Sequence, residues 1–248
     1  MEKKIGRFPF VVEPFSEDYS GHLSWFFLGN HLLRCASLHA GMHGFGYDDV
    51  MRSHHVWVLS RLVIELEEMP RTGDSYTVET WVSKIYRQFT DRLYAITGEG
   101  GKVFGHGYSV WALIDMDSRE AMDFSELPDE GFADAVIDRT VPIKGPGRVR
   151  VKAQEPVRSL KASYSDLDIN RHVNSIRYIQ MILDLFGEQL CQEGQRVRRL
   201  DVAYCSESYC GDQLDFFCEK GGEKDYKVEI RKGGTGEVLI RAGVELAL

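Results

Sequence analysis

The chain repeats itself. The segment RLVIELEEMPRTGDSYTVETW, which starts at Arg61, aligns without a gap on RLDVAYCSESYCGDQLDFFCE, which starts at Arg199, at an offset of 138 residues. A long-period repeat is one supersecondary unit used twice, so the 248 residues resolve into two related units. In both copies an alternating run meets a Gly-Asp turn, at Gly73-Asp74 and Gly211-Asp212, and a second alternating run follows. Leu62, Ile64 and Leu66 mark one face of the first run, matched by Leu200, Val202 and Tyr204. Tyr76, Val78, Thr80 and Val82 continue with the period of two expected of a half-buried strand.

A helical stripe precedes each copy. Val173, Ile176, Ile179, Leu183, Phe186 and Leu190 recur at spacings of three and four. Met181, Ile182 and Leu185 add apolar residues off that stripe, which predicts a surrounded helix. Asn174 and Ser175 are N-cap candidates, and Gly187 marks a break near the end. Leu28, Leu32, Cys35 or Ala36, and His39 make the stripe of the first copy, ending in the 41–46 region. Glycine turns at 100–101 and 233–236 lead into long closing strands. Leu127 to Pro156 holds four of the seven prolines and reads as a connector. The expected fold class is therefore α+β, each unit a central helix wrapped by a curved antiparallel sheet. The expected boundaries are 1–140, a linker over 141–156, and 157–248.

Charge and composition exclude several partners. Thirty Lys and Arg against 38 Asp and Glu give a net charge of −8, a poor start for gripping phosphate backbones. No apolar run approaches the roughly 18–20 residues of a membrane helix. The first residues, Met1-Glu2-Lys3-Lys4, lead into Gly6, Arg7 and Pro9 without the apolar core of a signal peptide. Five cysteines without CxxC spacing suit a reduced, cytoplasmic protein with packed thiols.

The densest polar stretch stands just before the second helix: Asp166-Leu167-Asp168-Ile169-Asn170-Arg171-His172-Val173-Asn174. Asp168, Asn170 and His172 alternate, so an extended segment would put them on one side. A helix N-terminus beyond them offers backbone N–H groups to developing negative charge. A polar loop with an elaborate cap uses the same residue types.

The segment SDLDINRHVNSIRYI resembles the signature of hot-dog-fold thioesterases, most closely plant-type acyl-acyl-carrier-protein thioesterases. Their pattern runs D-L-D-x-N-x-H-V-N-N and then Tyr-Ile; here Ser175 replaces the last Asn, and Tyr178-Ile179 match. Trp57-Val58-Leu59-Ser60-Arg61, Gly73-Asp74, Thr80-Trp81-Val82-Ser83-Lys84 and Ser109-Val110-Trp111 resemble stretches of the family's first half. The resemblance spans roughly residues 20–248. It implies tandem hot-dog domains with one active site, and hydrolysis of fatty acyl thioesters on acyl carrier protein. No cofactor and no metal is implied. The family's catalytic residues fall on Asp168, Asn170 and His172, and its later acidic residue on Glu207. The family's cysteine is replaced by Ser208, which puts a Cys–His–Asn mechanism in doubt here.

Thioester hydrolysis needs an activated water, a proton acceptor and oxyanion donors. Glu207 or Asp168 is read as the general base, with His172 hydrogen-bonded to a close carboxylate pair. Asn170 would position water or thioester, and N–H groups at the helix start would take the oxyanion. Asn174, Trp57 and Met69 are the candidate substrate-binding residues. At the offset of 138, Glu207 meets Met69, and the first half holds no D-x-N-x-H, so the first unit is expected to lack the catalytic set. It would line the acyl pocket and supply sheet pairing. An acidic carrier needs a basic patch on an acidic enzyme; Arg148, Arg150 and Lys152 form one candidate, and Arg196, Arg198 and Arg199 another. The chain would act as a monomer or homodimer. An acyl-coenzyme A thioesterase, a hot-dog dehydratase and a non-catalytic acyl-binding module are the competing readings.

Three other patterns carry less. His39 and His43 have helical metal-ligand spacing but no third ligand. The 98–103 glycines sit between strands, where a hairpin turn is expected. There is no GxSxG elbow.

Overall fold

The computed structural model describes residues 4–126, 135–192 and 194–247. The start of the expected connector, Leu127 and Pro128 included, lies outside them. The chain divides into two compact units, Met1–Ser60 with Ile64–Lys144, and Arg61–Val63 with Gly145–Leu248.

In the first unit, β1 (Gly6–Val11) leads through a polar loop to α1 (Trp25–Met42). The Ser24 side chain caps α1 by accepting from Phe27 N–H, as N-cap serines do. The stripe Leu28, Leu32, Cys35, Ala36 and His39 is the buried face of this helix. A short helix absent from the sequence reading, α2 (Tyr47–Arg52), starts where the Asp49 carboxylate accepts from Gly46 N–H at 3.0 Å. Then follow β2 (His55–Leu66), β3 (Ser75–Ile85), β4 (Thr90–Gly98) and β5 (Val103–Asp115). Their antiparallel order is β1-β3-β4-β5-β2. Gly105 on β5 has a packing reason: a Cβ there would lie 2.4 Å from the Glu65 carbonyl oxygen.

The second unit follows the same plan with β6 (Arg158–Lys161), α3 (Ser175–Leu183), α4 (Gly187–Leu190), β7 (Arg196–Tyr204), β8 (Gln213–Lys220), β9 (Asp225–Lys232) and β10 (Val238–Ala247). Its order, β7-β10-β9-β8-β6, is the same permutation of equivalent strands. No residue of α3 is exposed, in line with its all-round apolar pattern. The helix is shorter than its stripe. It stops at Leu183, a 3-10 turn over Asp184–Phe186 follows, and Gly187 opens α4 rather than closing the helix. The tighter turn still buries Phe186, so the apolar spacing survives although the hydrogen-bond pattern changes.

The first unit buries a cation. Arg92 on β4 donates to His39 Nδ1 at 3.0 Å and to Thr80 Oγ1 at 3.3 Å. His39 Nε2 lies 3.2 Å from the Lys4 carbonyl oxygen. Arginine can only donate and a carbonyl can only accept, so His39 is the neutral Nε2–H tautomer. Burial, reinforced by the Arg92 charge, pushes its pKa down to about 3. Both ring nitrogens are used, which removes His39 from the metal-spacing pattern with His43. As pH falls from 6.5 toward 3, the unfolded chain takes a proton that the folded chain refuses. That linkage costs up to about 1.4 kcal/mol of stability per pH unit. The urea unfolding free energy is expected to fall across this range more steeply in the wild type than in His39→Gln; equal slopes would count against the buried neutral imidazole.

Candidate active site

The loop before α3 is built from the Asp166 carboxylate outward. Asp166 Oδ2 accepts from Ser163 N–H at 2.8 Å, closing a single 3-10 turn over Tyr164–Asp166. Its Oδ1 accepts from Arg177 Nε at 3.0 Å and Nη2 at 2.7 Å. Only 4% of Asp166 is exposed, and a buried carboxylate needs such a partner. Asp166 O then accepts from Asn174 N–H at 2.8 Å, tying both ends of the loop.

Between these ends Asp168, Asn170 and His172 do not lie extended, as their alternation had suggested. Asp168 Oδ1 accepts from the N–H groups of Asn170 at 2.8 Å and His172 at 3.4 Å. Asp168 N–H donates to His172 O at 2.9 Å, and Arg171 takes φ 64°. This is an aspartate-nucleated turn, in which the side chain replaces a backbone acceptor. The Asn170 carboxamide is exposed and makes no hydrogen bond with the described residues.

The connection between β7 and β8 supplies the acid, Glu207. His172 Nε2 lies 3.5 Å from Glu207 Oε2, with both side chains partly exposed. Tyr209 donates its hydroxyl to the same Oε2 at 3.1 Å. The Tyr209 ring meets the His172 ring edge-on, centroids 5.0 Å apart. The structure thus joins His172 to Glu207, while the Asp168 oxygen that is engaged serves the backbone. The expected hydrogen bonding of His172 to a carboxylate pair is corrected accordingly.

Two further expectations change. Asn174 caps α3, its Oδ1 accepting from Ile176 N–H at 2.8 Å and Arg177 N–H at 3.4 Å. Those N–H groups are therefore spent, and not open to an oxyanion as the sequence reading had it. Ser208, at the position of the family's cysteine, is 1% exposed with its hydroxyl 2.5 Å from Tyr178 Oη. Burial pushes Tyr178 up to about 12. A hydroxyl turned inward against a protonated phenol is no nucleophile.

All five cysteines are free. Cys35 is buried, and its pKa is raised to about 12 by that burial, whereas Cys191, Cys205 and Cys210 are exposed. The packed-thiol expectation thus holds for Cys35 but not for these three. Among the described residues, no group of three or more His, Cys, Asp or Glu is arranged to hold a metal ion.

The first unit contains a copy of this loop that the offset of 138 hides. Before the helices the offset is 150, which sets Asp18, Ser20 and His22 on Asp168, Asn170 and His172. Asp18 Oδ1 accepts from Ser20 N–H at 2.8 Å and His22 N–H at 3.4 Å. Asp18 N–H donates to His22 O at 2.7 Å, and Gly21 has φ 76° where Arg171 has 64°. Leu23 N–H meets Pro70 O just as Val173 N–H meets Ser208 O. The first unit therefore keeps the loop and lacks the acid, since Met69 stands where Glu207 does.

The remaining candidates sit elsewhere. Trp57 packs on Phe124 and donates to Phe45 O at 2.8 Å, inside an apolar cluster with Ala40, Val50 and Leu113. Met69 is half-buried. The first unit has an open cleft of about 630 Å³ walled by Phe10, Phe27, His31 and Tyr76, with neither Trp57 nor Met69 in its lining. Arg148, Arg150 and Lys152 are exposed on a segment pinned where Gly147 N–H donates to Asp201 Oδ2 at 2.7 Å. Arg196 and Arg198 are exposed too, the latter paired with Glu245 at 2.8 Å. Arg199 is turned to Asp201 and the Gly145 carbonyl, with 15% of its side chain exposed.

A sequence model of the acyl-ACP thioesterase N-terminal domain matches residues 9–131, and one of the C-terminal domain matches residues 150–245. The chain belongs to the acyl-ACP thioesterase family. It is 46% identical to a solved acyl-ACP thioesterase from Bacteroides thetaiotaomicron, with 99% of each chain covered and a TM-score of 0.93. It shares its fold with the 12:0-ACP thioesterase from Umbellularia californica, at a TM-score of 0.83 and 20% identity over 98% of this chain and 97% of that one. The tandem hot-dog, α+β fold class is borne out. A chloroplastic palmitoyl-acyl carrier protein thioesterase from Arabidopsis thaliana is 27% identical over 73% of this chain and 46% of its own length. The chain spans about two fifths to half the length of the first curated relatives it matches. No helix among the described residues is long and apolar enough to cross a membrane.

Asn174 is expected to act through the helix. Asn174→Ala should lower the urea unfolding free energy by about 1 kcal/mol, and Asn174→Ser should restore most of it. Unchanged stability in Asn174→Ala would show that the cap contributes nothing.

Proposed function

We propose that this chain hydrolyses the thioester between a fatty acyl group and acyl carrier protein, giving free acid and carrier thiol. The observation that carries the reading is the contact of His172 Nε2 with Glu207 Oε2 at 3.5 Å, with an uncommitted Asn170 carboxamide on the same loop as His172, in a chain whose two halves match that family. Glu207 is the general base and removes a proton from water as its oxygen adds to the thioester carbonyl. The Asn170 N–H₂ faces the reacting oxygens. His172 orients the Glu207 carboxylate toward the water. Collapse of the tetrahedral oxyanion breaks the C–S bond, and the proton held by Glu207 leaves with the thiolate sulfur. Asp168 holds the turn rather than the proton.

Thiol release from acyl carrier proteins of graded chain length tests the reading, against acyl-coenzyme A of equal length. His172→Ala is expected to lower turnover by about 10²–10⁴-fold, the usual scale of acid–base assistance. Equal turnover of both thioesters would favour the coenzyme A reading, and no thiol release a binding module. An unsaturated product would mean a dehydratase.

The carrier is proposed to dock on Arg148, Arg150 and Lys152, with Arg196 and Arg198 as the second patch. Their exposure supports this, and Arg199 is left out because only 15% of its side chain is exposed. Charge reversal at Arg148, Arg150 and Lys152 should raise KM for the acyl carrier protein and leave KM for a small thioester unchanged. An unchanged KM for both would remove the first patch. A cytoplasmic setting is proposed with the activity, supported by five unpaired thiols.

A further inference from the structure

We infer that Tyr209 is a positioning residue for the reaction, holding the Glu207 carboxylate against His172; this rests on Glu207 acting as the base. Two groups converge on Glu207 Oε2: the oxygen lies 3.5 Å from His172 Nε2 and accepts the Tyr209 hydroxyl at 3.1 Å. A glutamate that is partly exposed has rotamers to choose from, and most point its oxygens away from the imidazole. A hydrogen bond from a phenol selects one of them. Hydrogen bonds to an ionised acceptor are the stronger kind.

Tyr209 is itself fixed from three sides. Its backbone forms an antiparallel bridge with His172. Its N–H donates to Asp212 Oδ2 at 2.9 Å, and that carboxylate is paired with Lys232 at 2.7 Å. Its ring stands perpendicular to the His172 ring, at an interplanar angle of 90°. The hydroxyl therefore projects from a held turn onto the side chain two residues earlier in the same β7–β8 connection.

The first unit shows that folding does not require this tyrosine. At the offset of 138 its place is taken by Arg71. The turn there is built in the same way, with Arg71 N–H donating to Asp74 Oδ2 at 2.9 Å and a backbone bridge to His22. Tyrosine occurs where the partner two residues earlier is Glu207, and arginine where it is Met69. The phenol thus accompanies the carboxylate rather than the turn. The family resemblance in this stretch places its acid on Glu207 and its cysteine on Ser208 and ends one residue short of Tyr209, so the motif does not bring this residue out.

The test is a double-mutant cycle on thiol release from acyl carrier protein. Tyr209→Phe keeps the ring against His172 and deletes only the hydroxyl. It is expected to lower kcat about tenfold, as loss of one charge-assisted hydrogen bond would, with KM and the melting temperature unchanged. In the Glu207→Gln background the same Tyr209→Phe change should cost nothing further. An undiminished kcat in Tyr209→Phe, with Glu207→Gln inactive, would overturn the role of Tyr209 and leave the base in place. Full loss from Tyr209→Phe on top of Glu207→Gln would also overturn it, because the phenol would then act independently of the carboxylate. Near-normal turnover by Glu207→Gln alone would instead remove the base, and the inference with it. A rise in KM without a fall in kcat would place Tyr209 in substrate binding and contradict positioning.

Discussion

The carboxylate of Asp168, bound by two backbone N–H groups of its own loop, is the contact on which the candidate site depends. It folds the residues before α3 into a turn tight enough for Asp168 N–H to reach His172 O at 2.9 Å. That turn carries His172 into a bridge with Tyr209, in the β7–β8 connection that also bears Glu207. The Asp166–Arg177 pair anchors the same loop to the helix from beneath. Acid, imidazole and carboxamide therefore come from two hydrogen-bonded loops, the one before α3 and the β7–β8 connection, which is the support a reacting geometry requires.

The duplicated loop separates scaffold from chemistry within one chain. Both units hold the Asp–x–(Asn/Ser)–x–His turn, the same backbone ties, and a helix capped just after it. In the first unit Ser20 Oγ hydrogen-bonds to Asp18 Oδ1 at 2.6 Å and to His22 Nδ1 at 2.8 Å, so the imidazole is turned into its own loop. In the second, the imidazole faces a glutamate. Substituting Met69 for a glutamate position and Arg71 for a tyrosine position removes the partner without disturbing the fold. The first unit carries other distinct features, including the buried Arg92–His39 pair and an aromatic-walled cleft, which the second does not share by sequence.

Much of the fold was legible because alternation and helical stripes report burial directly. The 138-residue offset located β2 against β7 and the start of β3 against β8. It misled where lengths differ between the units. The offset is 150 ahead of the helices and 135 after the β3 and β8 strands, where β4 and β5 begin at Thr90 and Val103 against Asp225 and Val238. A search at one spacing therefore missed Asp18, Ser20 and His22. The end of α3 at Leu183 was also hidden, since a 3-10 turn keeps apolar spacing while changing the hydrogen bonds. In the site, motif matching brought out Asp168, Asn170, His172 and Glu207, but not what each side chain touches. The roles of Asp168 in the turn and Asn174 in the cap depend on which way each side chain turns toward neighbouring backbone N–H groups, and that of Ser208 on a contact with Tyr178, 30 residues away; spacing encodes neither.

On the proposed mechanism, one carboxylate on a shared scaffold separates the catalytic unit from its silent copy. Replacing it with the residue that the copy carries tests this most directly: thiol release from acyl carrier protein by Glu207→Met, with its melting temperature measured alongside. A loss of turnover of about 10²-fold or more with an unchanged melting temperature is the expected result. Turnover within a few-fold of the wild type would contradict the account.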